Sequence, residues 1–300
     1  MPTENTFDNT GSSTLTLAYS PDPDDAFMWW PLHASLPGGA RVNDERFLYE
    51  HVQADIESLN ISSETGVYDI TAISCAQYAK VCDRYALLSC GSSFGEGYGP
   101  RLVAREARTI ESLHGIPIAV PGLRTTASAI ASLVMGEKNY IPHPVPFDRI
   151  PTEIARGTFE AGIVIHEAQL SYSRMGLVLL LDLGKWWENR EDGLPLPLGV
   201  NTLLRDLDER HGEGAQRHVA GTLRRSILYA MNHHEEGLQH AMYCAQDPSP
   251  ALVEEFVKMY VNRRTLSPGI SGQESIQRLI QRMYENGLLQ SPASTDFITP

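Results

Sequence analysis

Residues 160–169 read EAGIVIHEAQ. Small and β-branched residues (Ala161, Gly162, Ile163, Val164, Ile165) run straight into His166 and Glu167. A short apolar run of this type has the form of a buried strand that stops at a polar turn. Two readings follow. Either the strand has simply left the core, or it delivers a histidine to the carboxyl end of a parallel sheet, where open α/β folds bind their ligands.

The surrounding chain supplies the sheet. Short β-rich runs alternate with amphipathic stretches, the pattern of an α/β fold with a largely parallel sheet. Strands are expected at Leu15–Ser20, Tyr68–Ser74, Ile116–Val120 and 161–165. A fifth at Leu177–Gly184 is apolar throughout, as a strand covered on both faces would be. Helices are expected over Asp24–His33, 75–81 and 125–136, then over Glu213–Ala245, Pro250–Val261 and Gly272–Gly287.

Two stretches read as crossings between lobes. In "GSSFGEGYGPRLVAR" the glycines from Gly91 to Gly99 lead into a strand, and in "GLPLPLGVNTLL" Pro195 and Pro197 precede another. The expected organisation is a polar lead-in over 1–13, a large lobe of 14–105 plus 199–300, and an inserted small lobe of 106–198. That is a two-lobed, hinged binding fold with its cleft between the lobes.

Composition narrows the partners. The 300 residues carry a formal charge of −13 with only 24 Lys and Arg, which argues against nucleic acid or an anionic membrane as partner. No apolar run approaches the roughly 20 residues that span a bilayer. The N-terminal residues have neither a basic nor an apolar signal region, so a cytoplasmic location is expected. Cys75, Cys82, Cys90 and Cys244 match no zinc or iron–sulfur spacing, so neither metal nor disulfide is expected. His233, His234 and His240 lie in a charge-rich helical segment and are expected to face solvent.

Four strand-to-helix turns are chemically loaded. Ser20-Pro21-Asp22-Pro23-Asp24-Asp25 holds three aspartates, where a helix cap needs one. The surplus suits sugar hydroxyls or a cation. Of Phe27, Met28, Trp29 and Trp30, which follow, most suit the core and one aromatic could wall the cleft. Ser74, after Ala72 and Ile73, could cap a helix or donate to a ligand, and Cys75 reads as a packed residue. Thr125 and Thr126 follow Gly122 at a helix start, a ready anion site to which Arg124 adds charge if it points inward. An ordinary threonine cap explains only one of them. At the fourth turn His166, with an unperturbed pKa of about 6.5, suits proton transfer near neutrality. Alternation along a strand sends Glu167 to the other face, into the next helix.

The stretches "AYSPDPDDAFMWWPL", "AVPGLRTTASAIASL", "AGIVIHEAQLSYSRMGLVLLLDLGKWWE" and "LPLPLGVN" resemble the menaquinone biosynthesis enzymes of the MqnA/MqnD family. They resemble in particular its 1,4-dihydroxy-6-naphthoate synthase (MqnD) branch in the futalosine pathway. The resemblance runs from about Leu15 to the C-terminal helices. It implies a two-lobed fold of the periplasmic-binding-protein type II class and a carbon–carbon lyase. The implied substrate is a small-molecule carboxylate, cyclic dehypoxanthine futalosine, cleaved with loss of a sugar-derived fragment and without a cofactor. It places the general base on His166, a threonine pair for the ligand on Thr125 and Thr126, and a strand-end binding segment on Ala72, Ile73 and Ser74. The family's "SPCPND" turn is here Ser20 to Asp25, with Asp22 and Asp24 where the family has cysteine and asparagine, and a lysine common in the family is replaced by Ala72. Positive charge is lost there, and Arg101 is the candidate replacement. A non-catalytic binding protein of the same fold should carry a signal peptide. A chorismate dehydratase-like enzyme should not need His166.

Overall fold

The structure, a computed structural model, describes residues 13–136, 138–245 and 249–300. The expected lead-in lies outside the described residues, except for Ser13, which opens the first strand. The chain begins with β1 (Ser13–Tyr19), α1 (Pro23–Trp29), β2 (Phe47–Gln53), α2 (Ile56–Ser63), β3 (Ile70–Ser74), α3 (Cys75–Val81), β4 (Tyr85–Leu88) and β5 (Ser93–Gly95). It continues through β6 (Arg101–Ala104), β7 (Pro117–Val120), α4 (Thr126–Met135), β8 (Ile141–Pro144), α5 (Ile150–Arg156), β9 (Ala161–Val164), α6 (Ala168–Ser171), β10 (Val178–Asp182) and α7 (Leu183–Arg190). Then come β11 (Leu196–Leu204), a helical C-terminal third and a last short strand, β12 (Phe297–Ile298).

These strands form two sheets. The larger runs β12-β4-β11-β3-β1-β2, with β5 added on β11, and the smaller runs β10-β6-β9-β7-β8. Neither is as parallel as expected. β1 pairs in parallel with β2 and β3, but β11 enters antiparallel to β3, with Gly199 opposite Ser74. In the small sheet β9 is parallel to β7 and antiparallel to β6. A strand that returns from another lobe has no crossover helix to force it parallel, and β11 and β6 are such strands.

Sheet membership shifts the expected lobe boundaries at 105/106 and 198/199. β5 pairs with β11 in the large sheet, whereas β6 already pairs with β9 in the small one. The chain therefore leaves the large sheet within 96–100 and rejoins it between β10 and β11. The glycine-rich run is the crossing itself, and the strand after it is already on the far side. Close approach explains the glycines. A Cβ at Gly95 or at Gly184 would sit 2.0 Å from the Tyr98 carbonyl oxygen, so the crossing nests only against bare backbone. At the return, buried Glu191 is gripped by Arg282 (Nε 2.8 Å, Nη2 3.0 Å) and Arg278 (3.1 Å) of the helix Gly269–Glu285.

Two further expectations are corrected. The leucine run at 177–184 is not covered on both faces: β10 is an edge strand of the small sheet, with Leu179 44% exposed. An apolar run reads alike at an edge and in the middle of a sheet. The expected helix at 213–245 breaks at His233 into Ala215–Asn232 and His234–Cys244. His234 packs edge-on against Phe27 and His240 lies against His33, so both are half-buried rather than solvated.

The core has three parts. One face of the large sheet buries Leu15, Leu17 and Ile70 against Phe27, Trp29 and the helices Ala215–Asn232 and Pro250–Tyr260. A second cluster joins the lobes, running from Ile73 and Phe94 through Ile118 and Ile163 to Ile276 and Leu279. The third closes the other face of the small sheet with Val103, Ile150, Ile154 and Val164. Each such fully buried side chain contributes about 1.5–3 kcal/mol by leaving water. The strand ends of β1 and β3 in one lobe and β7 and β9 in the other are thereby held facing one another. No helix among the described residues is long and apolar enough to cross a membrane.

Candidate active site

The four loaded turns converge on one cavity of about 110 Å³ between the lobes. That is room for several waters. Ser20, Asp22, Ala72, Ile73, Ser74, Thr125, Thr126 and His166 all line it. Aspartates 24 and 25 do as well.

His166 is placed by its backbone. Just beyond β9 it adopts φ 53°, a left-handed conformation that few residues other than glycine and a handful of polar types take. Its carbonyl accepts from Gln169 N–H at 3.1 Å. In the orientation that satisfies its neighbours, the Gln169 amide accepts from His166 N–H (3.1 Å) and donates to Gly99 O (2.6 Å). The imidazole lies edge-on to Phe147, centroids 4.5 Å apart. Its Nδ1 is 3.1 Å from Asp22 Oδ2, and Nε2 has no hydrogen-bond partner. Burial lowers its pKa, against the opposing pull of the Glu167, Asp24 and Asp55 charges, which keeps it a neutral base. Glu167 stands at the start of the short helix α6, as expected, without a side-chain capping bond.

The aspartate turn is not a simple helix cap. Asp22 stands at the cap position of α1 but makes no capping hydrogen bond. It accepts from Ser20 Oγ and faces His166 instead. Asp25 Oδ2 accepts from Ser20 N–H at 3.0 Å. Burial pushes Asp22 up to about 7, helped by the Asp55 charge and offset by the Ser20 bond. Burial and the neighbouring Asp22 push Asp24 to about 7, and burial with Asp24 and Asp22 holds Asp25 well above its ordinary value.

The hydroxyl residues are more committed than the sequence suggests. Thr125 caps α4, accepting from Ser128 N–H (3.2 Å) and donating to Gly122 O (2.9 Å). Thr126 Oγ donates to Leu198 O (2.8 Å) and accepts from Ala76 N–H (3.1 Å), bridging the lobes. Ser74 does not cap α3; its Oγ and N–H are both bound by the amide of Asn60, at 3.0 and 2.8 Å. Cys75 is fully buried, and burial raises its thiol.

Neither expected arginine reaches the cavity. Arg101 donates to Gln169 O (2.6 Å), pairs with Asp182 (3.6 Å) and lies over the Tyr172 ring. Arg124 clamps the lobes from outside, with its backbone N–H on Glu57 (3.1 Å) and its Nε on Glu64 (2.6 Å). Gly122 makes that approach feasible, since a Cβ there would meet Glu57 at 2.3 Å. Positive potential at the cavity therefore comes from helix ends. The first turn of α4 borders it through Thr126 and Ala127, whose N–H groups have no partner within the helix.

Other lining residues went unread. Of residues 27–30 it is Met28 and not an aromatic that lines the cavity; the aromatic walls come from Phe256 and Tyr260 on the helix Pro250–Tyr260. Buried Asn201 on β11 also borders it, donating to Gly91 O at 2.7 Å with its own Oδ1 unpartnered. Gln169, four positions from Ile165 in the opening stretch, was legible only as a polar residue of the next helix.

A family model described as menaquinone biosynthesis matches residues 15–285. The chain belongs to the menaquinone biosynthesis family. A 1,4-dihydroxy-6-naphthoate synthase of Thermus thermophilus is 39% identical over 91% of this chain and 95% of that protein. One of Streptomyces coelicolor is 34% identical over 93% and 95%. A solved protein of Archaeoglobus fulgidus is 36% identical, with a TM-score of 0.82 over 92% of this chain and 98% of its own. The ligand-binding component of an ABC-type importer from Staphylococcus aureus shares only 13% identity. Its TM-score is 0.70 over 96% of this chain and 97% of its own, which establishes the periplasmic-binding-protein fold. Membership of the family makes this chain an enzyme of menaquinone biosynthesis built on that two-lobed fold.

Proposed function

We propose that the chain is a carbon–carbon lyase, a 1,4-dihydroxy-6-naphthoate synthase acting on cyclic dehypoxanthine futalosine with His166 as general base. The observation that carries this reading is the His166 imidazole at the cavity wall, Nδ1 held by Asp22 and Nε2 unpartnered. The names of the two curated relatives support the same chemistry. A retro-aldol-type cleavage needs a base to take a hydroxyl proton. Nε2 takes it, the carbon–carbon bond breaks, the electron pair is left on the ring system, and the sugar-derived fragment departs as a carbonyl compound. Positioned proton transfer of this kind contributes about 10²–10⁴-fold. The substrate carboxylate binds at the first turn of α4, where Thr126 and Ala127 present N–H groups. The raised carboxyl of Asp24 lessens the repulsion that an acidic turn would exert on it. The chemistry as written calls for no metal or organic cofactor.

The test is to offer the purified protein cyclic dehypoxanthine futalosine and, separately, chorismate, and to analyse products by mass. Naphthoate from the first and nothing from the second supports the reading. Dehydration of chorismate, or no naphthoate at saturating substrate, sinks it.

A further inference from the structure

Asp22 stands in a place where a helix cap is expected, yet no backbone N–H of α1 reaches its side chain. Its carboxylate points across the cleft. Oδ2 accepts from Ser20 Oγ on one side and lies 3.1 Å from His166 Nδ1 on the other. Asp22 belongs to the turn after β1 of the large sheet, and His166 to the turn after β9 of the small one. Both side chains are largely shielded, and the other ring nitrogen of His166 has no partner.

We propose that Asp22 is the positioning residue for His166: it accepts the Nδ1–H bond and so fixes the neutral imidazole with its Nε2 lone pair free for the substrate. The inference rests on His166 being the base, as proposed above. Which ring nitrogen of a histidine carries the proton is decided by the partner of the other. Here Nδ1 has an acceptor and Nε2 has none. Ser20 directs its hydroxyl to the same carboxylate oxygen, which holds that oxygen toward the ring. The left-handed backbone at His166, with the Gln169 amide on its N–H and the Gln169 N–H on its carbonyl, fixes the other end. When Nε2 takes a proton, the new imidazolium faces a carboxylate rather than bare apolar surface. Because the two residues sit on different lobes, the base acquires its partner only when the lobes meet.

Two readouts test this. Long-range proton–nitrogen NMR of labelled native protein should show the His166 ring protonated at Nδ1, with Nε2 as the lone-pair nitrogen. Asp22→Asn, whose amide can donate to Nδ1 instead, should move the ring toward the Nε2–H tautomer. With cyclic dehypoxanthine futalosine, kcat should fall at least tenfold in Asp22→Asn while KM changes less than threefold. Asp22→Glu, which keeps the acceptor, should recover part of the loss. An Nε2–H tautomer in the native protein overturns the assignment even if a variant fails to fold. So does an unchanged tautomer and kcat in a folded Asp22→Asn. If the native protein does not turn over this substrate, the functional reading fails, and the tautomer measurement still decides whether Asp22 sets the ring.

Discussion

Two sets of buried aspartates in this molecule behave in opposite ways. Asp44, beside β2, is saturated with donors. Oδ1 accepts from Arg46 N–H (2.9 Å), Phe47 N–H (3.0 Å) and His218 Nε2 (2.7 Å), and Oδ2 from Tyr49 OH (2.8 Å) and Thr222 Oγ (2.7 Å). Burial alone would raise its pKa, but the bonds from Thr222, His218, Arg46 and Tyr49 outweigh it and hold the carboxyl at about 2. Asp22 is also buried and Asp24 partly so, with fewer donors; burial raises both, the Asp55 charge adds to it at Asp22 and the Asp22 charge at Asp24, and they stand at about 7. Burial is common to both sets; the supply of donors decides the sign. A carboxyl with all its bonds made by protein holds the fold. Carboxyls short of donors at a cavity wall are where a ligand's hydroxyls can complete the set.

The largest expected effect on stability is at the saturated end. Asp44→Asn keeps the shape but strands several donors, and should lower unfolding free energy by about 3 kcal/mol in urea titrations, with turnover unchanged. A loss below about 0.5 kcal/mol would erase the distinction between the two sets.

Thr126 comes next, because it lines the cavity yet is committed to protein like Asp44. Thr126→Val leaves the Ala76 N–H and Leu198 carbonyl without their partner and should cost about 2 kcal/mol. A raised KM with no change in stability would instead assign its hydroxyl to the substrate.

The smallest effect is a gain. Asp24 has a folded pKa of about 7, above its unfolded value near 3.8. Its penalty is absent below pH 4, grows as pH rises between those values, and is complete above 7. Asp24→Asn should therefore stabilise the protein by about 1 kcal/mol at pH 8 and by nothing at pH 4. Asp44 has the opposite sign. Its folded pKa lies below the unfolded one, so its contribution is complete above pH 4 and is lost between pH 4 and 2. Thermal melts of the native protein and the Asp24 variant across this range check both signs.

What was readable from the chain follows the same division. The turns after β1, β3, β7 and β9 carried local signals: an apolar run, then polar residues at a helix start, with proline or glycine between them after β1 and β7. Those four turns do meet at the cavity, with His166 among them. The commitments of the individual side chains were not readable, because each depends on a partner from elsewhere in the chain. Asn60 of α2 takes Ser74, Leu198 takes Thr126, and Asp182 takes Arg101. Phe256 and Tyr260 reach the site from a helix whose apolar periodicity looks like any core helix. The strand β2 and helix α2, which alternate only weakly between apolar and polar, went unread altogether.

The role proposed for His166 as the base of this cavity stands or falls with its replacement by asparagine. With cyclic dehypoxanthine futalosine as substrate, His166→Asn should form naphthoate at least about 100-fold more slowly per folded molecule than the native protein. Its affinity for substrate and its melting temperature should change little. Near-native turnover from a folded His166→Asn would remove His166 from the chemistry and return the strand end to an ordinary exit from the core.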